Sequence, residues 1–437
     1  MAKNAAIIMA AGLGTRMKSQ KPKILHEVCG VPMLQWVINA LKPLKLEKII
    51  VILGKKNGEE FELIKGNIHY VIQKEKKGTG HAVKQALPLL KGFTGNVLIL
   101  SGDVPLIQTE TLKKIINEHQ KSYAMSTILT ADVKNPFGYG RILRQANQVF
   151  KIIEELDADD YTKKIKEINT GTYCFKNKIL QDFVPKIKIN PLKKEYYLTD
   201  IFSLLNQEGS KIIPLKISDS TEVMGVNRRY ELEKANKIMQ KRIQKKLMDK
   251  GVTILDGDNT YIDANVSIGQ DTIIYPFSLL YENTKIGANC KIGPSAHITN
   301  CKIGDLVEIH NSVLTGSRIE NGVRIGPFSH IRNATVIKKG ARIGNFVEIT
   351  RSVIGADSRA YHLSYLGDTT LGEDVNLGAG IITANWDAEQ QIKNKTKIGD
   401  HSKIGSNTVI IAPASVPANE IIPSHSLIHK NKKKRRD

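Results

Sequence analysis

The stretch KIGANCKIGPSAHITNCKIGDLVEIHNSVLTGSRIENGVRIGPFSHI, residues 285–331, decides the fold of half the chain. Ile-Gly pairs stand in it at 286–287, 292–293, 303–304 and 325–326. Outside it, Ile- or Leu-Gly recurs at 268–269, 343–344, 354–355, 371–372, 377–378, 398–399 and 404–405. Successive glycines are separated by 6, 11, 17, 18, 21 or 22 residues, close to multiples of six with single-residue slips and loops. A six-residue period is the signature of a parallel β-helix. Each hexad forms one flat side of a triangular coil, an aliphatic residue points to the axis, and Gly allows the corner. Such hexads wind left-handed, against the usual right-handed crossover. About 175 residues at roughly 18 per coil predict nine or ten coils, stabilised by stacking on their neighbours.

Working outward, residues 228–250, RRYELEKANKIMQKRIQKKLMDK, contain no Gly or Pro. Leu232, Ala235, Met239, Ile243 and Leu247 recur every three or four positions and Gly251 supplies a stop. This predicts a single linker helix whose apolar stripe is too narrow for a domain. Upstream, KNAAIIMA, EKIIVIL, NVLILSGD and YAMSTILT read as buried strands, with LQWVINALKPL, GHAVKQALPLL and ETLKKIINEHQ as helices between them. The pattern predicts an α/β, Rossmann-like domain with a mostly parallel sheet covered on both faces. The expected division is therefore 1–227 for this domain, 228–250 for the linker helix, 251–428 for the β-helix and 429–437 for a basic tail.

The chain has 437 residues, 41% of them apolar and 24% charged, with 64 Lys+Arg against 43 Asp+Glu and a net charge of +21. It can bury real cores and is no disordered polyelectrolyte. Residues 228–250 carry a net +6 and residues 430–437 a net +5, so about half of the excess lies in two short segments. Neither is interleaved with aromatics or set on a nucleic-acid-binding module, and no nucleic-acid partner is expected. No apolar run is long enough to span a membrane. The first residues have no signal-peptide cleavage region, and Cys29, Cys174, Cys290 and Cys301 lack metal-site spacing. A cytoplasmic protein is expected, with no membrane partner.

MAAGLGTRM (9–17) follows the first strand directly. Gly12 and Gly14 let the backbone approach a phosphate whose oxygens main-chain N–H groups can meet. Thr15-Arg16 stand where a dinucleotide motif has its third Gly, and Lys23 can reach the same phosphates. A nucleotide with a transferable phosphoryl group suits this loop better than a dinucleotide. Asp103 ends an apolar strand at the edge where ligands bind, and its hard oxygen suits Mg²⁺.

Here the residues carry a resemblance. A-A-G-x-G-T-R-M followed by Pro-Lys is similar to the sugar-nucleotide pyrophosphorylases. QKEKKGTGHA (73–82), SGDVPL (101–106), GYGRI (138–142), IIEE (152–155), EINTG (167–171), EYYLTD (195–200) and EVMGVNRR (222–229) follow in order. With the arm helix and hexads, the chain to about residue 415 resembles the bacterial bifunctional N-acetylglucosamine-1-phosphate uridylyltransferase/glucosamine-1-phosphate acetyltransferases. The resemblance implies Mg²⁺-dependent uridylyl transfer from UTP to N-acetylglucosamine 1-phosphate. Arg16 and Lys23 would be catalytic, and Asp103 with Asn227 would hold the metal. Met9, Ala10, Ala11, Gly12, Ser101 and Gly102 would line the UDP-sugar site, with Gln73, Gly78 and Thr79 at the uracil. Gly140, Glu154, Asn169 and Thr199 would line the sugar, where Asn and Glu suit hydroxyl and acetamido groups.

The same resemblance implies acetyl transfer from acetyl-CoA to glucosamine 1-phosphate, between subunits of a homotrimer. His362 would be the base, a role its near-neutral pKa suits. Arg332, Thr350, Arg351, Tyr365 and Asn376 would bind the acceptor; Ala379, Asn385, Trp386, Ser406 and Ser424 would bind acetyl-CoA. Thr350-Arg351 replace the family's Lys-Lys, and Asn385-Trp386 its Asn-Tyr. PASVPANEIIPSHSLIHK (413–430) replaces its last Gly-bearing coils, and Lys430–Arg436 are the remaining cations for the coenzyme's 3′-phosphate. Two alternatives stay open: a pyrophosphorylase whose degenerate β-helix serves only trimerisation, and a non-catalytic regulatory subunit, against which Gly12–Arg16, Lys23, Asp103 and Asn227 argue.

Overall fold

The computed structural model describes residues 3–12, 14–54, 64–145, 148–191 and 194–429, and the backbone alone of 432–435. The chain forms two compact units, Met1–Lys237 and Ile238–Asp437. In order, the first unit contains β1 (Lys3–Met9), a short hairpin of β2 (Glu27–Val28) and β3 (Val31–Pro32), α1 (Met33–Leu41), β4 (Lys48–Gly54), β5 (His69–Gln73), α2 (Thr79–Ala86), β6 (Gly95–Ser101) and α3 (Thr109–Lys121). Then come β7 (Ser126–Asp132), the hairpin of β8 (Arg141–Gln145) and β9 (Gln148–Ile153), β10 (Glu167–Lys176), α4 (Asn177–Phe183), α5 (Asp200–Gln207) and β11 (Ile212–Ile217).

The sheet order is β11-β7-β10-β6-β1-β4-β5. Along β1, Ala5 and Ile7 pack into one core with α2, α4 and α5, while Ala6 and Ile8 pack into the other with α1 and α3. Both faces are covered, so the strand reads as an unbroken apolar run. Along this order one strand departs from the parallel expectation: β10 runs antiparallel between β6 and β7, and off this order the β8–β9 hairpin pairs antiparallel onto β10 through β8. The first residue of β10, Glu167, pairs with Asp132 at the end of β7. The intervening β8–β9 hairpin leaves the chain at the carboxyl edge, and without a crossover helix the next strand must run back. The expected helices ending in KPL and LPLL stop earlier as α-helix and close as 3₁₀ turns around Pro43 and Pro88, as the missing N–H of Pro requires.

Helix α6 (Arg229–Met248) precedes the β-helix, and the division between the two units falls within it. The β-helix has three parallel faces. The first runs in ten strands from Thr253–Ile254 to Ile421–Ile422, the second from Tyr261–Ile262 to Ser426–His429, and the third from Ser267–Ile268 to Ala414–Val416. Ile274, Ile292, Ile309 and Ile325 stack in one inward column, with matching columns through Leu280, Ile298 and Leu314 and through Ile286, Ile303 and Ile319, all buried. Each such side chain contributes about 1.5–3 kcal/mol of burial.

Most glycines of the hexads do a different job from the one expected. Of the eleven Ile- or Leu-Gly glycines only Gly293 and Gly326 have left-handed φ, and at other corners it belongs to residues such as Asp271, Asn289, Leu306 and Asn311. A Cβ at Gly269 would stand 2.6 Å from the backbone of Gly287 and Ala288 on the next coil. Close approach between coils, rather than corner geometry, demands Gly there.

Candidate active sites

The carboxyl ends of β1, β5 and β6 open on a cleft of about 410 Å³. Met9, Ala10, Ala11, Gly12 and Lys23 line one side, with Gln73, Gly78 and Thr79, then Ser101, Asp103 and Glu154 around it. Nothing lies within 4 Å of a Cβ placed on Gly12, so this backbone is bare to a ligand. Gly14 has φ +64°, and its Cβ would meet the Cβ of Lys23 at 2.6 Å; glycine there lets Lys23 fold over the loop. Leu13 lies outside the described residues. Gly78 has φ +93° and closes on the backbone of Tyr196, which fixes the start of α2. Gly102 donates to the Met9 carbonyl at 2.9 Å and turns the chain toward Asp103.

Lys23 is the centre of the charged part. Its ammonium pairs with Asp103 and donates to Asn227 Oδ1 at 3.0 Å, and Arg16 donates to the same oxygen at 2.9 Å. Asn227 is held from behind by Glu231, which accepts from the Asn227 and Arg228 N–H groups at 2.6 and 3.0 Å in the first turn of α6. The N–H of Val226 also donates to the Asp103 carbonyl at 2.9 Å. Two hard oxygen donors from distant segments thus converge on one cationic point, which fits a divalent cation completed by ligand phosphates. Among the described residues no group of three or more His, Cys, Asp or Glu side chains could hold a metal by itself.

Beyond it, Glu154 accepts from the Thr199 hydroxyl at 3.0 Å. Burial raises the Glu154 pKa, Thr199 opposes that rise, and Asp157 and Asp200 add to it. Asn169 receives its place from the Gly140 carbonyl, 2.8 Å from its N–H, and donates to the Tyr173 hydroxyl at 2.8 Å. Gln73 donates to the Gly78 carbonyl at 3.1 Å. Sequence reasoning passed over Lys76, Glu195 and Tyr197, which also line the cleft. All three sit inside the motifs at 73–82 and 195–200. Burial, with four carboxylates nearby, pushes Tyr197 up to about 12.

The β-helix sorts the other candidates into two groups. His362, exposed, ends a first-face strand, and on successive coils the same corner carries Ala379, Ser406 and Ser424. Backbone bonds link them: Gly380 N–H to His362 O at 3.3 Å, Asn407 N–H to Ala379 O at 2.7 Å, His425 N–H to Ser406 O at 2.8 Å. The Ser406 hydroxyl accepts from Ala379 N–H at 3.2 Å. Asn376 is exposed on the first face in register with Arg359.

The second group lies at the far edge of the second face, where Arg332, Thr350 and Gly367 stack in register. Arg332 pairs with Glu348. Thr350 is buried and accepts from Asn333 and Arg351 at 3.1 Å each. Arg351 grips Asp368, and Asn385 donates to the same carboxylate. Tyr365 follows His362 and opens the second-face strand that carries Gly367 in register with Thr350. Asp368 and Glu348 were missed because their pairing with Arg351 and Arg332 depends on which coil edges meet. At this level the inward column turns polar: buried Thr383 accepts from the Gly367 N–H at 2.8 Å. Trp386 is exposed on a small hairpin with Lys393. Lys430, Asn431 and Arg436 lie outside the described residues, and 432–435 are described in backbone alone.

A nucleotide cleft at the carboxyl edge of an α/β sheet, joined in one chain to a left-handed hexapeptide β-helix, defines a two-domain transferase. The family models agree: residues 6–168 match the MobA-like NTP transferase domain, and 283–317 and 316–351 match the bacterial transferase hexapeptide repeat. Three relatives span nearly the whole chain. The bifunctional protein GlmU of Geobacillus sp. is 46% identical over 98% of this chain and 93% of its own. That of Acetivibrio thermocellus is 42% identical over 97% and 92%, and that of Streptococcus suis 43% over 99% and 94%. The chain belongs to the GlmU family of bifunctional proteins.

Proposed function

We propose that this chain makes UDP-N-acetylglucosamine by two group transfers, acetylating glucosamine 1-phosphate from acetyl-CoA and then joining the product to UTP. The membership of the GlmU family supports both activities. The observation that carries the uridylyl step is the meeting of Lys23, Arg16, Asp103 and Asn227 beside the bare Gly12 backbone.

A phosphate oxygen of N-acetylglucosamine 1-phosphate attacks the α-phosphorus of UTP in line as the bond to the leaving pyrophosphate breaks. No covalent enzyme intermediate is needed, so placement and charge neutralisation carry the rate. Gly12 brings backbone N–H groups to the phosphates, and Arg16 and Lys23 offset the charge that builds on them. Asp103 and Asn227 are the residues to hold Mg²⁺, which when bound supplies further phosphate neutralisation. Gln73, Gly78 and Thr79 take the uracil; Glu154, fixed by Thr199, and Asn169 take the sugar. Purified chain with UTP, N-acetylglucosamine 1-phosphate and Mg²⁺ should release pyrophosphate; none from the wild type refutes the assignment.

In the acetyl step the glucosamine nitrogen attacks the thioester carbonyl, His362 takes the ammonium proton, and the coenzyme leaves as thiol. Within one chain, His362 and the Arg332–Arg351 group stand at opposite edges of the second face. This supports a homotrimer in which neighbouring chains complete each site. The outward row of the second face holds Tyr261, Leu279, Val313, Tyr365, Ile382, Val409 and Leu427, broken by His297, His330 and Glu348, whereas the equivalent rows hold Lys291, Arg324, Arg359 and Lys403 on the first face and Lys285, Lys302, Arg318 and Lys397 on the third. A row richer in apolar side chains than its counterparts supports assembly through this face. One observation favours the narrower reading of uridylyl transfer alone: Thr350 has no charge and Arg351 is committed to Asp368. Thiol release from acetyl-CoA and glucosamine 1-phosphate decides between them. No helix among the described residues is long and apolar enough to cross a membrane.

A further inference from the structure

Lys23 occupies the point on which the two candidate metal ligands converge. Its ammonium touches Asp103 and Asn227 Oδ1 together, with side-chain exposures of 12% for Lys23 and 18% for Asp103. Arg16 adds a second cation to the same Asn227 oxygen. A dication cannot share these oxygens with an ammonium at hydrogen-bond distance, because repulsion between like charges is poorly screened in a half-buried site.

We propose that Lys23 is an internal counter-cation that shuts the metal site until a triphosphate arrives. In the nucleotide-free chain it neutralises Asp103 and keeps both donors aimed at one point. An incoming triphosphate offers Lys23 and Arg16 better acceptors. The two side chains then pass from Asp103 and Asn227 to phosphate oxygens and free the pair for the divalent cation. Charge stays balanced throughout: two protein cations leave the carboxylate and amide as the anion comes in with its metal. Gly14 makes the exchange feasible, since its missing Cβ is what allows Lys23 to pack over the loop. The inference rests on Asp103 and Asn227 being the metal ligands.

The test is Mn²⁺ binding to the full chain without nucleotide, read by electron paramagnetic resonance. Wild type should bind weakly, and Lys23→Met should bind at least tenfold more tightly. Adding a non-hydrolysable UTP analogue should tighten Mn²⁺ on the wild type by more than it does on Lys23→Met. Equal or weaker binding by Lys23→Met overturns the exchange, while UTP-dependent, Asp103-dependent binding in the wild type would still leave the metal assignment standing. Mn²⁺ binding that ignores Asp103→Asn in every state overturns the assignment and the exchange with it. Lys23→Gln, similar in length and neutral, serves if Lys23→Met fails to fold, and must show the same tightening.

Discussion

Arg351 lays its guanidinium along both oxygens of Asp368, Nε to Oδ1 at 2.7 Å and Nη2 to Oδ2 at 2.8 Å. The fork ties one coil to the next at the position where the family resemblance called for a lysine. The hydrogen bonds from Arg351 hold the Asp368 carboxyl below its usual range. Because that pKa is lowered in the folded state, the stabilisation is full above the unfolded value of about 3.9 and is lost as pH falls through the folded one. Arg351→Met should therefore cost about 1–2 kcal/mol at pH 7. Denaturant titrations of wild type and variant should converge as pH falls below the ordinary carboxylate range.

Asp103→Ala should lower pyrophosphate release by about 10²–10³-fold, the scale of losing one preorganised electrostatic contact. Thiol release by the same protein should stay at the wild-type rate. His362→Ala should show the mirror image, with acetyl transfer lost and uridylyl transfer intact. Parallel assays on one preparation of each variant check both.

Thr199 opposes the upward push that burial gives Glu154. Thr199→Val removes that opposition, so the carboxylate will protonate at a higher pH. The acidic limb of the uridylyl kcat/KM profile should shift to higher pH in the variant, and Glu154→Gln should remove the limb. An unshifted limb would show that Glu154 does not act as a carboxylate on the sugar.

Gly355 faces the backbone of the next coil, where an added Cβ would run into the carbonyl oxygen of Gly372. Gly355→Ala should destabilise the β-helix by more than about 3 kcal/mol, the scale of a backbone clash in a packed core. Thermal unfolding followed by circular dichroism, with pyrophosphate release as the control on the first unit, measures it.

Val313→Glu and Ile382→Glu place charge on the apolar row of the second face. Each should reduce the assembly to smaller species in sedimentation velocity and reduce thiol release, while pyrophosphate release remains. Retained mass in both variants would move the interface elsewhere.

Part of the first site was legible because strand polarity brings the loops after two apolar strands, with Gly12 and Asp103, to one edge, while Gln73, Glu154, Asn169 and Asn227 came from the motifs that carry the family resemblance. Lys76, Glu195 and Tyr197 escaped because nothing in a linear motif tells which side chain turns inward. The reversal of β10 escaped as well, since a buried strand looks the same in either direction. In the β-helix, the period located the coils as far as Gly405, whereas Ala414–Val416, Ile421–Ile422 and Ser426–His429 continue the stack with no Ile- or Leu-Gly pair to announce them. It could not reveal that Asp368 would draw Arg351 and Asn385 together, because that depends on which coil edges meet. The glycine rows were visible, yet their cause, backbone against backbone between coils, appears only in three dimensions.

The corner that carries His362, Ala379, Ser406 and Ser424 advances one coil at a time, about 4.8 Å per step. Four marks on this scale span roughly 14 Å in a straight line. Such an edge works as a measuring stick for an extended molecule, one that is gauged by length before its ends are recognised. The excursion bearing Trp386 shows how the gradations can be altered: the eleven residues 385–395 leave the stack between Ala384 and Thr396, while the ladder continues from Thr369–Leu371 to Thr396–Ile398 in unbroken register.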